Sequence, residues 1–216
     1  MRQATLIAAL SAVLVPAASL AANGEPQKKL TKADQARARA ASLTLADLGS
    51  GWKAEPSSKG DQASPRCSTY NPNQSDLVET GKYASPNFTR ADGSFASVST
   101  GVFRTVPMAK TGYARVAVPA LPRCFAEVFR KGTGNPAAVK ILATGPLTFP
   151  RFGDRSNAYR LTATYTVQGQ TLALAVDVVL FNRGRLDVAL IFVGIGRPLA
   201  ASFERTLVGR VAARAR

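Results

Sequence analysis

RSNAYRLTATYTVQGQTLALAVDVVLFNRGRLDVALIFVGIG, Arg155 to Gly196, decides the fold. It reads as three antiparallel strands joined by two tight turns, a meander over 155–195. In the first strand Tyr159, Leu161, Ala163, Tyr165 and Val167 share one face, and Arg160, Thr162, Thr164 and Thr166 take the other. That is the period-two alternation of a half-buried strand. The bulkier apolar set is Leu172, Leu174, Val176, Val178 and Leu180 in the second strand, and Leu186, Val188, Leu190 and Phe192 in the third. The core set is therefore expected to be odd-numbered in the first strand and even-numbered in the other two.

Residues paired across an antiparallel ladder point the same way. An odd-to-even pairing needs a loop with an even number of residues, and Gln168-Gly169 supplies a two-residue turn with a glycine. An even-to-even pairing needs an odd loop, and Asn182-Arg183-Gly184 reads as a three-residue turn. The register predicts Val167 opposite Gln170, Leu161 opposite Val176, and Arg160 opposite Asp177. The last is expected to be a cross-strand ion pair on the less apolar face, worth about 0–1 kcal/mol if that face is solvated. Ala173, Ala175, Val179, Ala189, Ile191 and Val193 also lie on the second face, which implies partial cover.

Outward from the meander, Pro198 opens a last helix. Leu199, Phe203, Leu207 and Val211 form one stripe along it, expected to lie across the large apolar face of the meander. Upstream, Ser94–Arg104 and Val139–Phe149 read as strands, the second with an irregularity near Gly145-Pro146. Between them Pro107 opens a helix through Val116, and Phe125, Val128 and Phe129 mark a second helix through Lys131. Thr31 can cap a helix from Lys32 to about Ser42, and Thr44 a short turn through Leu48. Trp52 follows a glycine break and reads first as a packing anchor, with ligand stacking as the alternative. Lys53–Asp92 shows no clear periodicity. The fold class is α+β: an antiparallel sheet of about five strands, packed by an N-terminal helix, a C-terminal helix and a central helical pair.

At the N-terminus Arg2, the apolar run Leu6–Val15 and Ser19-Leu20-Ala21 read as a secretory signal over 1–22. A buried helix is the alternative. Residues 23–31 read as a linker and 32–216 as a single domain. No segment is long and apolar enough for a membrane span. The chain carries 28 basic and 13 acidic residues, a formal charge of +15. Loss of a signal holding only Arg2 leaves +14. Such an excess attracts anionic polymers, although the arginines are dispersed; Lys28–Arg39 and Arg205–Arg216 hold the denser groups. In an exported chain Cys67 and Cys124 read as a disulfide closing a loop of ~56 residues, worth roughly 4 kcal/mol. Two free thiols are the alternative.

The chain has no histidine. Serine–histidine and cysteine–histidine nucleophilic sites and the usual zinc sites cannot be built. No phosphate-cradling or dinucleotide fingerprint is present. Asp154, Asp177 and Asp187 read as a turn residue, an ion-pair partner and a strand-face residue rather than a catalytic pair. No cofactor and no enzymatic activity are expected.

Leu48-Gly49-Ser50-Gly51-Trp52, a cysteine in a polar loop, Val102-Phe103-Arg104 leading into a helix and a second cysteine, and Asn182-Arg183-Gly184-Arg185 before a terminal helix occur in one order. This order resembles the extracellular sensor domains of actinobacterial serine/threonine kinases of the PknH type, and their free-standing exported relatives. The resemblance implies an α+β fold with a ligand cleft. The kinase sensors carry two disulfides, and this chain can make one. Two functions follow as expectations. One is an exported, sensor-like envelope module holding a small apolar or amphipathic ligand between sheet and helices, near Trp52, Tyr159, Tyr165 or Phe181. The other is a basic protein docking on anionic cell-wall polymer or nucleic acid.

Overall fold

A computed structural model describes residues 24–57, 66–132 and 135–216; the stretch read as a signal lies outside them. The sheet has nine strands: β1 Gln27–Lys28, β2 Trp52–Glu55, β3 Val78–Ala84, β4 Asn87–Arg90, β5 Phe95–Phe103, β6 Val139–Pro146, β7 Arg155–Val167, β8 Gln170–Arg183 and β9 Leu186–Ile195. Helices are α1 Lys32–Ala40, the single turn α2 Leu45–Leu48, α3 Val106–Val116, α4 Leu121–Gly132 and α5 Ala201–Arg214. The strand order is β1-β3-β5-β9-β8-β7-β6, and β4 pairs with both β2 and β5. All pairings are antiparallel except β1 with β3. The class is α+β and the sheet is open. It has four strands beyond the five expected, three of them in the segment that shows no periodicity.

Local signals account for most helix starts. The Thr31 hydroxyl accepts from the Asp34 amide at 3.2 Å. Thr44 and Asp47 form a reciprocal capping box. Thr105 caps α3, with Pro107 in its first turn. β3 escaped notice because Val78, Glu79, Thr80 and Gly81 are all buried, so nothing alternates.

β7 and β8 pair in the expected register: Val167 with Gln170, Leu161 with Val176 and Arg160 with Asp177. Gln168 and Gly169 both take positive φ, 50° and 74°, as a two-residue hairpin turn of this kind needs. The β8–β9 hairpin differs from expectation. Arg183 pairs with Leu186 and Val179 with Leu190, so the turn is the two residues Gly184-Arg185. Asn182 stays in the ladder, donating through Nδ2 to the Leu186 carbonyl at 3.1 Å.

One residue of turn length inverts β9. Leu161 and Val176 lie in one core; Leu190 lies in the other. The stripe of α5 therefore packs on odd-numbered Val179 and Phe181 of β8 and on Leu186, Val188, Leu190 and Phe192 of β9, not on the Leu161–Val176 face. That opposite face is covered by α3 and α4, through Tyr113, Leu121 and Cys124. The reason is that β8 is buried continuously from Leu174 to Asn182. A strand covered on both faces reads as an unbroken apolar run whose parity says little. The result is three layers: α1, α2 and α5; the sheet; then α3 and α4.

Distant charge pairs lock the layers. Arg185 at the β8–β9 turn meets Asp34 of α1 at 2.5 Å, and Arg214 of α5 meets Asp47 of α2 at 2.9 Å. Cys67 and Cys124 are disulfide-bonded, with Cα atoms 5.6 Å apart, which ties the Cys67–Tyr70 turn to α4.

Candidate functional site

A cleft of about 130 Å³ opens between the sheet and α3, which contributes Tyr113 and Val116. Its floor is Glu79 of β3, Gly101 of β5 and Asp187 of β9. Gln74, Tyr113 of α3 and Glu25 form its sides. The topology creates it: Gly101 and Asp187 face each other across β5–β9, and Glu79 enters from β3 beside a register shift. Gly101 leaves space there: a Cβ at that position would meet Glu79 Oε1 at 2.9 Å and push that carboxyl aside.

The polar groups of the cleft are unevenly satisfied. Asp187 accepts from Asn182 Nδ2 at 2.6 Å. The Tyr113 hydroxyl donates to Asn157 Oδ1 at 2.7 Å. Glu79 is 6% exposed, and its Oε2 is buried without a donor. A buried acceptor left in this state costs about 1–3 kcal/mol. Burial pushes Asp187 up to about 8, and the Glu79 charge adds to the shift. Burial likewise raises Glu79, against the pull of Lys82 and Lys28. Asp187 thus favours its neutral form near pH 7, and burial moves Glu79 in the same direction. Among the described residues no group of three or more histidine, cysteine, aspartate or glutamate side chains could hold a metal ion.

The aromatic residues expected to share a cleft are placed on both sides of the sheet. Trp52 and Phe181 belong to the α5 core. Trp52 stacks on Phe203, centroids 5.8 Å apart and planes 11° from parallel, with the Arg90 guanidinium 5.3 Å from its ring. Tyr159 and Tyr165 belong to the α3–α4 core. Tyr159 lines a crevice of about 10 Å³ beside Pro122 and Phe125, roughly the space of one water. Of the three aspartates weighed from the sequence, Asp154 accepts from the Gly184 amide at 2.9 Å and Asp177 pairs with Arg160. Asp187 lines the cleft rather than merely standing on a strand face. Glu79 carried no sequence signal, because its strand showed no pattern.

Arg160 and Asp177 form a two-pronged pair, Nε–Oδ1 2.6 Å and Nη2–Oδ2 2.5 Å. The pair is only partly solvated: Asp177 is 1% exposed beneath α5, while the Arg160 side chain is 31% exposed. Glu204 of α5 is also 1% exposed, and neither of its oxygens receives a donor. Burial first, and then the neighbouring Asp177, hold its carboxyl up to about 8.

Together these features define a three-layered α+β domain with an open sheet, one disulfide and a small carboxyl-floored cleft. No family model matches the chain, and no curated protein matches it in sequence. Among solved structures it is similar to that of LpqN, described as involved in cell envelope biogenesis of Mycobacterium tuberculosis. The identity is 13%, the TM-score 0.32, and the match covers 76% of this chain and 74% of that one. A likeness this slight does not extend that protein's role to this chain.

Proposed function

We propose that this is an exported, non-catalytic envelope protein that binds a small ligand in the cleft floored by Glu79, Gly101 and Asp187. The observation that carries the reading is the buried Glu79 Oε2, which lacks a donor beside open space. Buried polar groups are nearly always partnered, by protein, water or ligand. The Cys67–Cys124 disulfide supports an oxidising compartment, and the signal-like N-terminus agrees. No described helix is long and apolar enough to cross a membrane. The sensor-like character follows from the PknH-type resemblance and is part of the same proposal. Native mass spectrometry of protein recovered from its own envelope tests it. Wild type should carry a small-molecule mass that Gly101→Val lacks, since the larger side chain fills the floor. Equal bare masses for both would refute it.

A second reading has its own observation. The two denser basic groups of the sequence, separated by ~170 residues, lie in one layer: Lys32 and Arg39 on α1, Arg205 and Arg210 on α5, all exposed. That arrangement supports docking on an anionic wall polymer. Affinity for such a polymer should fall steeply between 50 and 200 mM salt, roughly in the manner of other polyanion contacts. Retention that ignores ionic strength would count against it.

A further inference from the structure

We propose that the cleft takes the cationic head of a small amphipathic amine between Glu79 and Asp187, with its hydrocarbon part along Phe103, Val116 and Leu180. This rests on the reading that the cleft is a ligand site. Three carboxyl side chains line the space, from Glu25, Glu79 and Asp187, with one cation, Lys82; Glu25 is already paired with Arg66 at 3.2 Å, which leaves Glu79 and Asp187 for a ligand. An ammonium group supplies the donors that Glu79 Oε2 lacks, and its charge favours ionisation of the neighbouring carboxyls. The glycine at 101 leaves room for a head group between the two acids; any side chain would press on Glu79 Oε1. A divalent cation is a poorer fit, because the described carboxyls do not gather three ligands at one point. The walls add the second half of the specificity. Phe103, Val116, Leu180, Val188 and Ala189 are apolar, and a volume of about 130 Å³ suits a ligand near the size of benzene, which a cavity of roughly 150 Å³ accepts.

Binding is coupled to protons. The charged groups facing the two acids are Lys28 of β1, Lys82 of β3, Glu25 of the N-terminal segment and Arg155 of β7. The Tyr113 hydroxyl of α3 stays neutral there. Asp187, held neutral near pH 7 by burial, gives one proton to solvent when it ionises against the ammonium. Affinity for the amine therefore rises with pH until the ligand itself loses its charge.

The test uses the full folded chain, with n-butylammonium, n-butanol and butyrate as probes. Amide chemical shifts locate binding, and calorimetry in buffers of different ionisation enthalpy counts protons. The expected result is saturable n-butylammonium binding, with shifts centred on Glu79, Gly101, Tyr113 and Asp187, and with proton release. It should be at least tenfold tighter at pH 8.5 than at pH 6, and at least tenfold tighter than n-butanol. Asp187→Asn and Glu79→Gln should each weaken it tenfold or more. Gly101→Ala, which keeps both carboxyls, should weaken it by crowding. A native-like amide spectrum shows that each variant is folded. If n-butanol or butyrate matches the amine with shifts in the same cleft, the amine assignment is overturned and the cleft remains a ligand site. If no probe moves the cleft amides, both the assignment and the ligand-site reading fall.

Discussion

Replacing Glu204 with glutamine should make the protein more stable above pH 8 while leaving it nearly unchanged at pH 5. Glu204 lies on the buried side of α5, where no donor reaches either oxygen, against an Asp177 already committed to Arg160. Its carboxyl ordinarily titrates near 4.5 and is held up to about 8. Between those values the folded chain keeps a proton that the unfolded chain has lost. Stability from this group is therefore full below about pH 4.5, declines as pH rises, and is gone above about 8. At ~1.4 kcal/mol per pH unit for one proton, the decline has a ceiling of about 5 kcal/mol. A glutamine amide is neutral at every pH and can donate to Asp177. The assay is urea unfolding at pH 5, 6.5 and 8.5 with the disulfide intact. Trp52 fluorescence is the probe, since this single tryptophan stacks on α5 through Phe203. With an m-value of roughly 1–3 kcal/mol/M, a difference of about 3 kcal/mol moves the midpoint by about 1 M or more. Asp187 and Glu79 also titrate upward-shifted, but they contribute alike to both proteins. Parallel pH profiles for wild type and Glu204→Gln would refute the reasoning.

Further outcomes test the packing. Joint replacement of Cys67 and Cys124 by serine should remove about 4 kcal/mol, given the separation of 57 residues; denaturation with and without reductant measures it. Leu207→Ala, at a fully buried stripe position, should cost about 2–5 kcal/mol in urea unfolding, whereas Leu142→Ala, 56% exposed, should change stability by about 0.5 kcal/mol or less. Gly153→Ala should destabilise by about 2 kcal/mol or more. That residue has φ +65°, and a Cβ there would meet the Asn182 carbonyl at 2.4 Å. Gly184→Ala should also lower the urea midpoint although open space surrounds it, because φ there is +57° at the first position of the hairpin turn.

The sequence was most legible where one side of an element faces water or an edge. β7 alternates because its even positions are polar, so its pairing with β8 could be read to the residue. The caps at Thr31, Thr44 and Thr105 act locally and were equally readable. β8 was not, since Ala175, Val179 and Phe181 are buried as deeply as Val176 and Leu180. Once parity fails in that strand, the face of β9 and the seat of α5 follow wrongly. The Arg160–Asp177 pair was found, but its burial was missed for the same reason. The cleft was hidden differently. Glu79, Gly101 and Asp187 come from three strands adjacent only through the order β3-β5-β9, an adjacency no local pattern encodes.

The seating of α5 has a consequence for how the chain is made. Phe181, Leu186, Leu190 and Phe192 are covered by residues 207–215, which follow every strand of the sheet in the chain and so are synthesised after all of them. Arg214 then reaches back to the Ser42 carbonyl, 172 residues earlier. An emerging chain holds nearly the whole sheet with one greasy side bare until its final turns arrive. Contacts of such long sequence separation form late and slowly, and the exposed intermediate is prone to self-association. Truncation by even two helical turns at the C-terminus should therefore strand the protein as an aggregate rather than yield a shorter, weaker fold.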